Sequence, residues 1–256
     1  MTDHHQNRRS VADVPLGTPL YKEVKRQITD SLRSGEWKPG EAIPAEKVLA
    51  QRFSVSVGTL RKAVDELTAE NILIRHQGRG TFVPSHGRSR HYFFSFFHIV
   101  RQDGMQEFPS VELVEFARRA ADADTAAALG IAVGAKLITF TNRLSLQGEP
   151  IILDQISVPA ALFPGLTERM LRDRTSTVYQ FYQERFGISV VHADDRLRAA
   201  SASDAQAQLL AVPEGSPLLL VVRVASSFRG QPVELRHSYV NTARHEYSVD
   251  LTERAD

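Results

Sequence analysis

Apolar residues recur at intervals of three and four positions near the start of the chain. Leu20, Val24, Ile28 and Leu32 follow this helical spacing, with charged residues between them. One apolar stripe on a 3.6-residue period predicts an amphipathic helix. The pattern stops at Gly35, and a Trp-Lys-Pro-Gly turn follows it, so the first helix is expected to end there.

A second helical pattern is shorter than the first. Pro44 suits the first turn of a helix, because its missing N–H would have no partner there. We predict a helix over 45–53, buried through Val48, Leu49 and Phe53.

The stretch SVSVGTLRKAVDEL predicts a third helix. Ser56 is suited to cap it, because a serine hydroxyl can accept a hydrogen bond from an amide of the first turn. Its inner stripe consists of Leu60, Ala63, Val64 and Leu67.

Two short strand-like runs follow the third helix, at 72–76 and 80–83. They are joined by Gln77-Gly78-Arg79, which predicts a hairpin with a basic tip. Three helices with a tight turn between the second and third, followed by a hairpin, predict a winged helix-turn-helix.

Beyond a polar stretch at 85–91, the pattern changes to strands. Tyr92, Phe94, Phe96 and His98 alternate with less uniform neighbours, which predicts a strand. Further strands are predicted at 136–146, 151–158, 217–228, 233–240 and 245–251, and capped helices at 124–129, 175–186 and 203–210.

An internal repeat organises this second part. The run DTAAALGIAVGAKLITFTNRLSLQGEPIILD parallels SDAQAQLLAVPEGSPLLLVVRVASSFRGQPVELR, so that Leu129 corresponds to Leu210 and Pro150 to Pro232. The pattern of each unit predicts a short helix followed by a hairpin. Two such units predict a single, mostly antiparallel sheet with helices packed on it.

The predicted fold class is therefore α+β in two domains, a winged helix-turn-helix followed by the antiparallel sheet. We expect a flexible tail at 1–17, the helical domain at 18–84, a linker at 85–91, the sheet domain at 92–251 and a tail at 252–256.

Charge and composition narrow the class of protein. The net charge is +1, but residues 1–90 carry 15 Lys and Arg against 10 Asp and Glu, whereas residues 91–256 carry 16 against 20. A basic module joined to a mildly acidic one is thus indicated. The chain has no cysteine, no signal-peptide pattern and no apolar run of membrane-spanning length, which favours the cytoplasm.

The basic module has the chemistry of a DNA reader. Small and basic residues cluster in the first two turns of the third helix, where a recognition helix meets base edges. Gly58 allows close approach, Thr59 offers a hydroxyl and a methyl group, and Arg61 offers a planar fork for guanine or phosphate. The candidate DNA contacts from this pattern also include Ser56, Lys62 and Arg79.

The run from 19 to 83 resembles the DNA-binding domain of the GntR family of bacterial transcription regulators. Its markers are GEWKPGEAIPAEKVLA, VSVGTLRKA and RHQGRGTFV. The resemblance implies DNA contacts from Lys47, Thr59, Arg61, Gln77 and Gly78. This chain has Val57 where many members carry arginine and Gly58 where they carry a polar residue, so its operator is expected to differ from theirs.

Residues 93–251 resemble the effector-binding domain of the HutC subgroup, the UTRA domain with a chorismate-lyase-like fold. The markers are ALGIAVGAKLITFTNRLSLQGEPIILD, FPGL, STVYQFY and PVELRHSYV, and the strand-rich pattern argues against the all-helical effector domain of another subgroup. By position, the resemblance implies ligand contacts from His98, Arg143, Asp154, Thr177, Glu234, Tyr239 and Tyr247.

These candidates also suggest a class of effector. Arg143 could bind a carboxylate or phosphate, and Asp154 and Glu234 could bind hydroxyl or amine groups. Members that bind sugar phosphates often carry Arg-Leu-Arg where this chain has Arg-Leu-Ser at 143–145. One cation fewer favours a carboxylate-bearing or small polar effector.

The expected function is that of a ligand-responsive transcription regulator, a repressor released from its operator by a small metabolite. We expect a homodimer on a roughly palindromic operator, with no cofactor and no metal. The alternatives are an activator of the same family or, less favoured, a chorismate-lyase-like enzyme fused to a DNA-binding domain. His192, Asp194 and Asp195 do not predict a metal site, because one strand would divide them between two faces.

Overall fold

The computed structural model describes residues 19–86, 93, 96–105 and 107–249. The chain divides into two compact units, Met1–Arg88 and Ser89–Asp256. Within the described residues, no helix has the length and apolar character needed to cross a bilayer.

The described residues of the N-terminal unit form three helices and a hairpin, in the order that the sequence predicts. The helices are α1 (Leu20–Arg33), α2 (Glu46–Arg52) and α3 (Val57–Ala69), and the hairpin strands are β1 (Ile74–His76) and β2 (Gly80–Phe82).

The apolar stripes of the three helices form the core of this unit. In α1, in α3 and at Leu73 after α3, the side chains with at most 1% exposure are Val24, Ile28, Leu60, Ala63, Val64, Leu67 and Leu73. In α2, Leu49 is fully buried, and Phe53, the residue that follows this helix, is 6% exposed. Val48, predicted to be buried, is 53% exposed because it lies on the outer side of α2.

The C-terminal unit is built on a six-stranded antiparallel sheet. Its strands lie in the order β4-β5-β6-β9-β8-β7, and β3 and β10 form a separate antiparallel pair. The strands are β3 (Ile99–Arg101), β4 (Ser110–Ala120), β5 (Lys136–Leu146), β6 (Glu149–Pro159), β7 (His192–Ser201), β8 (Pro217–Ser227), β9 (Gln231–Val240) and β10 (His245–Tyr247).

In the part of the chain that the structure describes, four short helices pack on this sheet: α4 (Ala123–Leu129), α5 (Glu168–Arg172), α6 (Val178–Phe186) and α7 (Asp204–Leu210). Each begins after a side-chain cap, in which an Asp, Thr or Ser oxygen accepts a first-turn amide. Helix α5 was not predicted.

The repeat found in the sequence extends over one more strand in the structure. The units β4-α4-β5-β6 and β7-α7-β8-β9 occupy the two halves of the sheet, and they meet where β6 pairs with β9. Both hairpins have a register shift at equivalent positions, after Leu144 and after Ala225.

The two faces of the sheet are covered differently. Helices α4 and α7 pack on one face, against clusters that include Leu137, Leu235 and Leu153. Helices α5 and α6 pack on part of the other face, against Phe140 and Ile156. We call this second surface the α6 face.

The predicted strand around Tyr92–His98 is wrong where the structure describes it. Phe93 is helical, Phe96 lies in a turn and the strand begins only at Ile99; Tyr92 and Phe94 lie outside the described residues. The predicted last strand is confirmed over β10 and is wrong at Ser248 and Val249, which are not in a strand; Asp250 and Leu251 lie outside the described residues.

Candidate functional site

The exposed start of α3 has the geometry that its sequence predicts. Ser56 caps the helix: its Oγ accepts a hydrogen bond from the Thr59 amide at 3.1 Å and lies 2.9 Å from Thr59 Oγ1. The side chain of Val57 is 37% exposed beside them. No other side chain crowds Gly58, where a Cβ would meet only Ser56 Oγ, at 3.8 Å.

Arg61 is held by a carboxylate that the sequence analysis did not single out. Its Nε and Nη2 both donate to Glu46 Oε2, at 3.0 and 2.9 Å. The other oxygen, Glu46 Oε1, accepts from Arg75 Nη2 at 3.3 Å, and Asp65 lies 2.8 Å from Arg75 Nη1. Bonding to Glu46 raises the pKa of Arg61, so this guanidinium stays charged.

The other candidate DNA contacts occupy separate parts of this unit. Lys62 turns towards α1, where its Nζ lies 4.3 Å from the centre of the Tyr21 ring. Lys47 is exposed on α2, and Gln77, Gly78 and Arg79 are exposed at the hairpin tip. The tip needs Gly78, whose φ of +72° is one that side chains disfavour.

The C-terminal unit has a pocket on the α6 face, next to the pair β3–β10. Its cavity volume is about 40 Å³, and the empty space in and in front of it, including open solvent, is about 360 Å³. The lining combines aromatic and aliphatic side chains with a few polar ones: Phe96, Phe97, His98, Ile99, Ile152, Asp154, Val221, Arg223, Arg236, Ser238, Val240 and Tyr247. Such a mixture is typical of a small-molecule site.

One wall of the pocket is fixed by an ion pair between β8 and β7. Arg223 donates to both carboxylate oxygens of Asp195 at 2.6 Å, and its Nη1 donates to the carbonyl of Phe96 at 2.6 Å. Tyr247 of β10 donates to the same carboxylate at 2.5 Å. Burial opposes the charge on Asp195, but the bonds from Arg223 and Tyr247 hold the pKa of this carboxyl below its usual range.

A second polar network forms the floor of the pocket and continues beneath α6. Arg236 Nη1 donates to Asp154 at 2.9 Å, and Arg236 Nε donates to Glu234 at 2.9 Å. Ser238 donates to the other oxygen of Asp154 at 2.5 Å.

Helix α6 is anchored to this network by two tyrosines. The hydroxyls of Tyr179 and Tyr182 donate to Glu234 at 3.1 and 2.8 Å. Burial and the nearby Glu234 charge raise the pKa of Tyr179 to about 12, so that this phenol remains protonated as a donor.

His98 contributes a ring without a charge. Burial, followed by repulsion from Arg223, lowers the pKa of His98, and the opposing effect of Asp195 is smaller. The ring lies 5.2 Å from that of Tyr247, centre to centre. A neutral imidazole can both donate and accept a hydrogen bond.

The structure brings three of the seven predicted ligand contacts to the pocket: His98, Asp154 and Tyr247. Glu234 is fully buried behind the lining, with its oxygens occupied by Tyr179 and Tyr182. Thr177 caps α6 by accepting from the amide of Gln180.

Arg143 and Tyr239, two of the predicted ligand contacts, lie on the opposite face of the sheet and outside this pocket. Asn142 pairs with Asp154 in the β5–β6 register, and successive strand residues point to opposite faces. Arg143 therefore points away from Asp154 and pairs with Glu112 at 2.5 Å. Tyr239 packs against the cluster beneath α7.

Arg223, Arg236 and Ser238 are pocket residues that the sequence analysis missed. A usable signal was present, because Arg223 interrupts the apolar run PLLLVVRVASS and Arg236 lies two positions after Glu234 in QPVELRHSYV. A charge inside an otherwise buried strand is expected to have a partner and often a function.

The proposed division of His192, Asp194 and Asp195 between two faces matches the β7–β8 register. Asp195 pairs with Arg223, whereas Asp194 and His192 are exposed. Within the ranges that the structure describes, no three His, Cys, Asp or Glu side chains form a group suited to a metal ion.

Comparison with known proteins finds a matching family for each of the two units. The profile of the UTRA domain matches residues 104–246, and that of the bacterial regulatory proteins of the gntR family matches residues 20–83. An Escherichia coli (strain K12) protein named "Probable fructoselysine utilization operon transcriptional repressor" is 28% identical over 237 residues, covering 90% of this chain and 94% of that one. The "Histidine utilization repressor" of Pseudomonas putida is 28% identical over 218 residues, covering 84% and 85%.

A solved structure resembles the C-terminal unit. It is the ligand-binding domain of a GntR-family transcriptional regulator from Bordetella bronchiseptica, 30% identical, with a TM-score of 0.58 over 60% of this chain and 96% of that one. With the UTRA profile covering more than half of the sequence and the gntR profile covering α1 to β2, this chain belongs to the GntR family, in the HutC subgroup, and is a DNA-binding transcription regulator rather than an enzyme.

Proposed function

We propose that this regulator is a homodimeric repressor that leaves a roughly palindromic operator when a small polar metabolite fills the pocket on the α6 face. The observation that carries the proposal is the pocket itself. It lies in the same chain as an exposed recognition helix, and its buried arginines and carboxylates can sense a ligand. The names of both repressor relatives support repression rather than activation.

The proposed DNA contacts are the nine residues predicted from the sequence, at the start of α3, on α2 and at the hairpin tip. Two copies of such a unit, related by a two-fold axis, would match a palindromic operator. We place the protein in the cytoplasm, where its DNA target would be.

The pocket supports a narrower proposal for the effector. Two guanidinium groups, Arg223 and Arg236, face three carboxylates, Asp154, Asp195 and Glu234. A phosphate dianion would add two negative charges to this balance, whereas a zwitterion or a hydroxylated monocarboxylate would add none or one. We propose an effector of the latter kind.

The contacts of such an effector follow from the lining. Its carboxylate would face Arg223. Arg223 thus replaces Arg143, the carboxylate partner that the sequence suggested. Its amine or hydroxyl group would face Asp154, and its carbon skeleton would pack on Ile152 and Val221.

The proposed switch depends on unequal binding to two states. An effector shifts the equilibrium between operator-bound and free protein only by its difference in affinity for the two. An effector with equal affinity for both would leave repression unchanged.

The test is binding to duplex DNA from the protein's own upstream region, measured at several salt concentrations, with a scrambled duplex as control. We expect tighter binding to the upstream duplex than to the scrambled one at every salt concentration. If the affinities for the two duplexes are equal and decrease together as the salt concentration rises, binding to that fragment is non-specific, which would contradict this choice of operator.

The effector is tested next. Amino acids and hydroxy acids are added to the complex, and one of them is expected to release the DNA. Release only by phosphate esters would contradict the effector class.

A further inference from the structure

Glu46, the first residue of α2, is the meeting point of two arginines from other elements. Arg61 comes from α3 and Arg75 from β1. Each carboxylate oxygen of Glu46 accepts from one of them: Oε2 from Arg61, at 2.9 and 3.0 Å, and Oε1 from Arg75, at 3.3 Å.

This contact restricts an otherwise mobile side chain. The Arg61 side chain is 59% exposed, whereas that of Glu46 is 29% exposed. An exposed arginine samples many rotamers, and those must be lost when it meets a base. Glu46 engages one edge of the guanidinium, formed by Nε and Nη2, and leaves Nη1 outside the pair. Arg61 is thus ordered before DNA arrives.

The same carboxylate has a second, opposing effect. It places a negative charge between two cations on the surface proposed to meet DNA, where phosphate groups would approach. Affinity for any duplex, whatever its sequence, depends on the number of phosphates that cations neutralise. Glu46 therefore weakens sequence-independent binding while it orders the side chain that reads sequence.

We propose that Glu46 is a specificity-determining residue of this regulator: it positions Arg61 and Arg75 and lowers the affinity for non-operator DNA. The inference rests on the proposed role of α3 as the recognition helix. It concerns the ratio of two affinities, so it can fail while that role stands.

The experiment compares three full-length variants with the wild type. Glu46→Gln removes the charge. Glu46→Asp keeps the charge but shortens its reach. Glu70→Gln is the matched control, because it removes an equal charge from a carboxylate that bonds to Lys25 instead. The probes are the duplex that the wild type enriches from a random pool and a scrambled duplex of equal length.

For Glu46→Gln we expect tighter binding to the scrambled duplex. The ratio of operator affinity to scrambled-duplex affinity should fall by about tenfold, which lies in the lower part of the range of discrimination that one arginine–base contact provides. For Glu46→Asp we expect a similar decrease in this ratio of affinities, without tighter binding to the scrambled duplex. Glu70→Gln is expected to keep the ratio within about twofold.

Two outcomes would overturn the proposal: an unchanged ratio in Glu46→Gln, or an equal loss of ratio in Glu70→Gln. Thermal melts check that the variants fold, and Glu46→Asp provides a second test if Glu46→Gln does not. If the wild type enriches no duplex, the proposed DNA-reading function fails instead, which is a different result.

Discussion

Arg223 and Asp195 form a pair of parallel hydrogen bonds, both 2.6 Å long, between β8 and β7. Their side chains are 8% and 13% exposed. The pair joins the sheet to the chain at Phe96 and, through Tyr247, to β10. It therefore holds one wall of the pocket in place.

Breaking this pair is expected to destabilise the C-terminal unit. Asp195→Ala leaves a buried guanidinium without its carboxylate, which typically costs about 3 to 5 kcal/mol of unfolding free energy. The measurement is urea unfolding, followed by far-ultraviolet circular dichroism. The control is Asp194→Ala, whose exposed carboxylate lies 4.0 Å from Arg196 and should change the unfolding free energy by less than about 1 kcal/mol. Equal losses in both variants would contradict the structural role of the pair.

The effector response should distinguish Arg223 from Arg143. Arg223→Lys keeps a cation but removes the planar fork, so we expect the effector concentration for half-release of operator to rise by about tenfold or more. Arg143→Lys, on the opposite face, should leave the dose curve unchanged. The effector is the compound that releases the wild type in the screen above. A shifted curve for Arg143→Lys alone would return that residue to the binding site.

Arg61→Ala should reduce sequence discrimination without unfolding the protein. The side chain is 59% exposed, and loss of one arginine–base contact costs about 1 to 3 kcal/mol of binding free energy. Arg26→Ala on α1 removes the same charge from an exposed arginine that bonds to Glu23 and Asp30. Operator and scrambled duplexes are compared for both variants. Wild-type discrimination in Arg61→Ala would exclude α3 as the reading helix.

Acidification should lower stability through His98. Its pKa in the folded protein is below the usual 6.5 because of burial and Arg223, so the unfolded chain binds the proton more readily and stability rises with pH across this range. Between pH 7.5 and 5.5, His98→Asn should lose less unfolding free energy than the wild type, by at most about 1.4 kcal/mol. His237 and His245 have lowered pKa values as well, but they are present in both proteins. An equal loss in both would show that His98 does not contribute.

The sequence predicted most elements because their signals are local. The helical period, the Ser56 cap and the repeat each depend on neighbours in the chain, and the structure contains all three. Strand β4 was missed because SVELVEFARRA is an edge strand with mostly exposed side chains, so it lacks the apolar pattern of a buried strand.

The site was harder to predict than the fold, because a binding residue depends on which face of a strand it occupies. A shift of one position moves a side chain to the other face, which separates Arg143 from Asn142 and hence from Asp154. The charge of Arg223 within an apolar run is a local signal, but its pairing with the distant carbonyl of Phe96 leaves no local pattern.

The duplicated architecture of the sheet has a consequence for how this regulator can change. Positions 82 apart correspond in β6 and β9, so that the pocket residues Ile152 and Asp154 correspond to Glu234 and Arg236. In one half of the duplication, α6 covers the sheet and contributes its aromatic side chains to the main apolar cluster. The equivalent positions of the second unit, Val221, Ser238 and Val240, line the pocket that we propose for the effector. Because the lining of the proposed pocket is distinct from the buried residues of the apolar cluster under α6, substitutions in it are expected to alter which metabolite is sensed, so evolution could exchange effectors while the scaffold persists.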